Sequence, residues 1–230
     1  MSTQLLDRTI GSIACEIPGA TRVFHQYKLD FCCGGGKSLR EALERRKVED
    51  PQPLLEALSS LTALSNASYQ DWRQVPVDTL IDHILHRYHE VHREQLPELI
   101  RLARRVEQVH GDRPSCPLGL ADHLADMQQE LESHMMKEEQ VLFPMLRRVS
   151  PSEVSAPVSM MRFEHDQHGE ALERLEYLTN DITPPAEACN TWRALYAGLN
   201  QLREDLMQHI HLENNILFQE KDKQISEQHV

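Results

Sequence analysis

Two pairs of segments carry histidine and glutamate at spacings suited to metal binding. The runs from His89 to Leu96 and from His165 to Leu172 both read H-x-x-H-x-E-x-L, at an offset of 76 residues. The segments HMMKEEQVLF, from His134, and HIHLENNILF, from His209, both read H-x-x-x-E-x-x-[VI]-L-F, at an offset of 75. On a helix, residues four apart share a face about one turn apart. His134 with Glu138, and His209 with Glu213, can therefore aim an imidazole nitrogen and a carboxylate at one point. His89 and His165 each add a single imidazole. One such pair on an acidic helix is commonplace, but two pairs with matched single histidines at one shared period are hard to obtain by accident.

The set of four imidazoles and two carboxylates fits two metal ions. If Glu138 and Glu213 both bridge, each ion has four protein ligands, and a bridging oxo or hydroxo group makes five. One position on each ion then stays open to a small molecule. Mixed imidazole and carboxylate ligation with open positions suits iron, and helical bundles house such centres. A structural zinc site closes at four ligands and favours Cys and His, so it matches poorly. Leu142, Phe143, Leu217 and Phe218 belong to the repeat as core positions.

The second chemical feature is Cys32-Cys33, between Asp30-Phe31 and Gly34-Gly35-Gly36-Lys37-Ser38. Adjacent cysteines close only a strained, easily reduced ring. Lys37, Arg40 and the start of a helix from Leu39 are expected to lower the thiol pKa, which points to a redox or metal-exchange role. The bland alternative is two ordinary thiols in a tight turn. Cys15, Cys116 and Cys189 stand alone and read as inert. Gly36-Lys37-Ser38 resembles the end of a phosphate loop, but that pattern needs glycine where Phe31 stands, so the nucleotide reading is rejected. No G-x-S-x-G hydrolase elbow occurs.

The remaining histidines rank lower. His92 and His168 lie three residues past His89 and His165 and read as hydrogen-bonding supports or spare ligands. His110 reads as a helix-end cap or a peripheral metal residue. His83 and His86 read as polar positions, and His25, His123, His211 and His229 are unassigned. Glu130 and Glu164 are acidic neighbours, with metal or proton traffic and a solvated face equally open to them.

The elements that must position these groups are helical. Ile81, Ile84, Leu85, Tyr88 and His89 recur at three- and four-residue spacing. The pattern predicts four long helices over roughly 78–109, 117–148, 152–180 and 186–222, broken at Gly111–Pro114, Ser150–Ser152 and Thr183–Pro185. Short connections between them imply an up-down-up-down bundle. Pro97 and Pro144 are expected to kink or break their helices. The fold class is all-α: a small helical N-terminal domain plus linker over 1–68, then a four-helix bundle over 69–230. Pro51, Pro53 and the polar run from Ser65 to Asp71 mark the junction.

Composition narrows the class. The chain has 230 residues, with 24 Lys+Arg against 36 Asp+Glu and a net charge of −12. Nucleic acid and anionic membrane surfaces call for a basic face, so neither is an expected partner. No apolar run approaches the roughly 20 residues of a membrane span, and the start MSTQLLDR is not a secretory signal. Five cysteines disfavour a disulfide framework and fit a reducing cytoplasm. Only nine glycines, five of them in the first 36 residues, favour helix elsewhere.

The segments DFCCGGGKSLREA, RYHEVHREQLPEL, SHMMKEEQVLFPM, FEHDQHGE and HIHLENNILF together strongly resemble the Repair of Iron Centers family, over nearly the whole chain. These are bacterial di-iron proteins with a hemerythrin-like domain and an N-terminal domain bearing a vicinal Cys pair. The resemblance implies that His89, His134, Glu138, His165, His209 and Glu213 carry two irons, with both glutamates bridging, in agreement with the repeat. It implies a cytoplasmic homodimer, induced by nitrosative and oxidative stress, that helps restore damaged iron–sulfur clusters by supplying iron. Two departures stand out: three glycines follow the cysteines instead of two, and the tail after Phe218 lacks a proline. Four readings compete: an iron donor to damaged iron–sulfur proteins, a di-iron enzyme reducing nitric oxide, a carrier or sensor of O2, and a metal-free interaction bundle.

Overall fold

The computed structural model describes residues 5–64, 70–148 and 151–219. The junction expected between 68 and 69, the Ser150 end of one helix break and the tail from residue 220 lie outside the described residues. The chain forms two compact units, Met1–Leu80 together with Met207–Val230, and Ile81–Leu206. Among the described residues the structure is helical, and the single extended pairing is a bridge between Thr9 and Ser38. No helix among them is long and apolar enough to cross a membrane.

The first unit holds α1 (Ile10–Glu16), α2 (Ala20–Gln26), α3 (Leu39–Arg45) and α4 (Gln52–Leu64). Local chemistry starts each helix. The Thr9 hydroxyl accepts from the Ser12 amide ahead of α1. Gly19 takes a left-handed φ of 83° to enter α2. Ser38 and Glu41 form a reciprocal capping box on α3. Asp50 accepts from the Gln52 amide at α4. Ile10, Ile13, Phe24, Leu29, Phe31, Leu39, Leu54 and Leu58 form the core. The loop between α2 and α3 is laced to α1 by Ile10 N–H to Lys37 O at 2.9 Å, Gly11 N–H to Gly35 O at 2.8 Å and Leu39 N–H to Arg8 O at 2.8 Å. The same unit contains a π-helical turn, Glu213–Leu217 (π3), which packs on α1.

The second unit is a helical bundle. It is entered from α5 (Val77–Ile84) and π1 (Leu85–His89), then holds α6 (Glu90–His110), α7 (Leu120–Lys137), π2 (Glu138–Leu142), α8 (Phe143–Arg148), α9 (Pro151–Leu178) and α10 (Asn190–Leu212) as far as Leu206. Pairings across the bundle fix its up-down-up-down order. Arg93 meets Glu139 and Glu107 meets the Ala121 amide, so α6 and α7 run antiparallel. His134 meets Glu164 and His123 meets Ala171 O, so α7 and α9 do too. Arg87 meets Asp205 and Gln95 meets Gly198 O, which sets α10 against α6. Leu96, Leu99, Ile100, Ala103 and Val106 make the buried stripe of α6, the larger of them contributing about 1.5–3 kcal/mol each.

The helix positions follow the sequence pattern, with three differences. First, α6 runs unbroken through Pro97, which is exposed, so no break occurs there. Proline removes one amide donor, the one that would bond the Arg93 carbonyl, and α6 continues past it. At Pro144 the expected interruption is present as π2, and the proline falls in the first turn of α8. Second, α7 starts at Leu120, because Gly119 adopts a left-handed φ of 85° after a turn at Cys116-Pro117. Third, α10 starts at Asn190, after three left-handed residues, Asn180, Asp181 and Ile182, and the double proline.

Candidate metal centre

In the bundle unit, four of the sequence-derived ligands converge. His89 ends π1, His134 sits in the last turn of α7, Glu138 begins π2 and His165 lies within α9. All four are at most 1% exposed. Glu138 faces two imidazoles, one per oxygen: Oε2 lies 3.4 Å from His89 Nε2 and Oε1 lies 3.3 Å from His134 Nε2. His165 Nε2 is 3.2 Å from His134 Nε2. The ligand atoms of His134, Glu138 and His165 all lie within 4.8 Å of one another. Two atoms bound to one ion at about 2.1 Å stand about 3.0 Å apart at a right angle and about 3.4 Å at the tetrahedral angle. These separations are those of two atoms able to share one ion, and each Glu138 oxygen faces its own imidazole.

Hydrogen bonds on the far side of the rings set the tautomers. His89 Nδ1 is 2.8 Å from Glu139 Oε1, and His134 Nδ1 is 2.8 Å from Glu164 Oε2. A carboxylate there accepts a hydrogen bond from Nδ1–H, leaving the Nε2 lone pair for a metal and making the ring a better donor. Arg93 holds Glu139 at 2.9 Å and Glu132 with two further bonds, while Lys137 holds Glu164. Burial pushes both carboxyls up, but hydrogen bonds outweigh it and hold them below the usual carboxylate range. The bonds come from Arg93 and His89 at Glu139, and from Lys137 and His134 at Glu164. Both supports therefore stay ionised at neutral pH. Glu164 was open between a solvated face and metal traffic; its partner is His134.

In the other unit, His209 Nε2 lies 3.3 Å from Glu213 Oε1, with both side chains essentially fully buried. Three of these candidate residues touch a π-helical turn: His89 closes π1, Glu138 opens π2 and Glu213 opens π3. Each turn is closed by an i to i+5 bond, Glu90 N–H to Leu85 O, Phe143 N–H to Glu138 O and Phe218 N–H to Glu213 O. The extra residue in the turn lets Leu142 and Phe143, and likewise Leu217 and Phe218, be buried after a buried glutamate.

π3 also carries a polar clasp. Asn215 Nδ2 donates to Phe31 O at 3.1 Å and Cys32 O at 3.2 Å, and Asn214 Nδ2 donates to Cys32 O at 3.3 Å. His211 is buried, 3.1 Å from Asn215 and 3.7 Å from Cys15 Sγ. Burial drives the His211 pKa down to about 4, so the ring is neutral. A Cβ on Gly11 or Gly35 would collide with the Asn215 amide, at 2.5 and 2.2 Å, so these glycines admit the clasp.

The Cys pair departs from expectation in one respect. Cys32 Sγ lies 3.9 Å from Cys33 Sγ and 3.4 Å from Asp30 Oδ1, and neither cysteine is in a disulfide. The hydrogen bond with Cys33 comes first among the causes that raise the Cys32 pKa well above the ordinary thiol value; burial and the charge of Asp30 add to it. Sequence alone predicted a lowered pKa from Lys37, Arg40 and the α3 terminus. Arg40 is instead bound to Asp7 at 2.8 Å, and Ser38 and Glu41 take the α3 terminus.

The other histidines find local roles. His168 packs edge-on against His134 with centroids 4.9 Å apart, and His92 lies 6.4 Å from the Tyr88 ring; both are buried. His110 stacks on Trp192 and faces Cys189 Sγ at 3.4 Å. Sequence reasoning missed Arg93, Glu132 and Glu139 as supports and Asn214 and Asn215 as the clasp. The repeat offers only a hint, since Glu139 aligns with Asn214.

An antiparallel helical bundle that turns histidines onto a buried carboxylate defines a hemerythrin-like metal-binding protein. Residues 80–220 match the family described as "Hemerythrin HHE cation binding domain", and residues 6–62 match "Domain of Unknown function (DUF542)". Similar proteins include the "Iron-sulfur cluster repair protein YtfE" of Yersinia pseudotuberculosis serotype O:1b, 50% identical over 212 residues, or 92% of this chain and 95% of the relative. Those of Citrobacter koseri and Escherichia coli O81 are each 49% identical, over 214 and 213 residues, with the same coverage. The chain belongs to the YtfE family of iron–sulfur cluster repair proteins.

Proposed function

We propose that this chain holds two iron ions on His89, His134, Glu138, His165, His209 and Glu213, and supplies iron to iron–sulfur proteins damaged by oxidative or nitrosative stress. The observation that carries this reading is Glu138, buried with a different histidine at each oxygen. One ion needs one such oxygen; two ions need both. The repeat gives Glu213 the same place as Glu138. Bound iron is the cargo here. The chain's own groups hold it: Glu139 and Glu164 fix the Nε2 lone pairs of His89 and His134, and packing excludes water from the rings.

Two histidines per ion is a sparse ligand set, and it suits iron that can leave. A surface cleft lined by Asp126, Glu130, Ser133, Lys137, Glu164 and His168 supports release. Its three carboxylates attract a cation, and Glu164 touches His134 directly. The reading further includes a cytoplasmic location and a homodimer, in keeping with the resemblance.

The test loads the chain with isotope-labelled iron and adds an apo iron–sulfur protein with sulfide and reductant. Labelled iron is expected in the rebuilt cluster, and His134→Ala protein, unable to hold its iron, should donate none. Iron that stays on the loaded chain beside a competent acceptor contradicts donation.

A further inference from the structure

We propose that Asp30, Cys32 and Cys33 form a second metal site, a set of two thiols and one carboxylate for a thiophilic divalent cation such as Zn2+ or Fe2+. The ligand atoms of the three residues lie within 4.8 Å of one another. Their finer spacing matches one coordination geometry. Two sulfurs bound tetrahedrally at about 2.3 Å stand about 3.8 Å apart, and a sulfur and an oxygen, the latter at about 2.0 Å, stand about 3.5 Å apart. The Cys32–Cys33 sulfurs are 3.9 Å apart, and Cys32 Sγ is 3.4 Å from Asp30 Oδ1. A disulfide would need the sulfurs at about 2.05 Å.

The surrounding backbone is built to hold this arrangement. Asp30 Oδ1 also accepts from the Cys33 amide at 3.0 Å, which turns the carboxylate onto the thiols. Gly34 makes room for it: a Cβ there would stand 2.9 Å from Asp30 Oδ2 and 2.8 Å from Asp30 O. Asn214 and Asn215 anchor the Cys32 carbonyl, and Gly35 O accepts from Gly11 N–H. A loop tied at these points binds without first having to be ordered. Gly36, by contrast, meets nothing within 4 Å, so the third glycine is not required by the site.

Binding converts two S–H groups to metal–sulfur bonds and releases about two protons per ion, with no oxidant or reductant consumed. Three protein ligands leave a fourth tetrahedral position for an outside donor, as in exchange sites and unlike closed structural ones. The donor set, sulfur and oxygen, also differs from the nitrogen and oxygen set of the bundle histidines. The site therefore stands or falls separately from iron donation.

The experiment titrates the reduced, iron-loaded full chain with Co2+ under anaerobic conditions. Tetrahedral thiolate ligation gives a sulfur-to-cobalt charge-transfer band that nitrogen and oxygen ligands cannot produce. The wild type is expected to develop this band up to about one cobalt per chain, to release protons with it, and to lose it when Zn2+ is added. The Cys32→Ser/Cys33→Ser variant should lose the band while keeping its bundle iron and its helical circular dichroism. Asp30→Asn, which keeps both thiols, should weaken cobalt binding by at least about tenfold. No band in the wild type, a band surviving in the double serine variant, or unchanged affinity in Asp30→Asn would each overturn the proposal.

Discussion

Alanine at Gly35 and alanine at Gly36 lie one residue apart, yet the structure predicts opposite outcomes. A Cβ on Gly35 would lie 2.2 Å from Asn215 Oδ1 and 2.7 Å from Phe31 O. The second neighbour is backbone, so about 0.7 Å of main-chain movement is needed to reach ordinary contact. Asn215 cannot swing aside freely, because its Nδ2 holds Phe31 O and Cys32 O. Overpacking plus the loss of a buried hydrogen bond gives a cost of about 2–4 kcal/mol. None of the three consecutive glycines has a left-handed φ, and a Cβ on Gly36 meets nothing within 4 Å. Gly36→Ala should thus be neutral, or stabilise by up to about 1 kcal/mol through the unfolded chain. Urea unfolding of the iron-free chain, with amide exchange of residues 31–38 followed separately from the bundle, reads both. In an Asn215→Ala background the penalty of Gly35→Ala should shrink but not vanish, since Phe31 O remains. Equal effects at the two glycines, or a larger loss at Gly36, would refute the clasp.

Other outcomes follow from the same contacts. Glu164→Gln removes the charge that fixes the His134 tautomer, and iron dissociation should speed up by about 10–100-fold in a chelator competition; an unchanged rate would mean the contact is incidental. Gly198→Val drives a side chain into Leu99, whose Cδ2 a Cβ would meet at 2.6 Å, and should lower bundle stability by about 1–3 kcal/mol in thermal unfolding. Burial raises the Cys15 pKa to about 11, and a raised acid pKa means a neutral thiol below that pH. In the native protein at pH 8, iodoacetamide should label exposed Cys189 well before Cys15 or Cys32, and mass mapping would contradict this if Cys15 reacted first.

The pairing of the buried histidines and glutamates was legible because its logic is local. His134 with Glu138 and His209 with Glu213 are four residues apart, and helical geometry alone aligns them. Duplication then distinguished them from ordinary surface pairs. The breaks at Gly111–Pro114 and Thr183–Pro185 were legible for a similar reason, since glycine and proline act on their own neighbours. What escaped depends on contacts distant in sequence. Glu139 reaches His89 across 50 residues and Asn215 reaches Phe31 across 184; no local spacing encodes either. The π-turns escaped because their i to i+5 bonds have no residue-propensity signature in the sequence. The Cys32 pKa was misjudged for the same reason: Arg40, near in sequence, is paired with Asp7 instead. At Pro97 a sound local rule was offset by exposure to water.

The most direct measurement is an iron count on the purified, iron-loaded chain, joined to Mössbauer spectroscopy in zero and applied field. Two irons per chain whose spins are coupled through shared bridges, with that coupling weakened or the iron lost in Glu138→Ala, is the predicted result. A single isolated iron, two magnetically independent irons, or coupling indifferent to Glu138→Ala would contradict it.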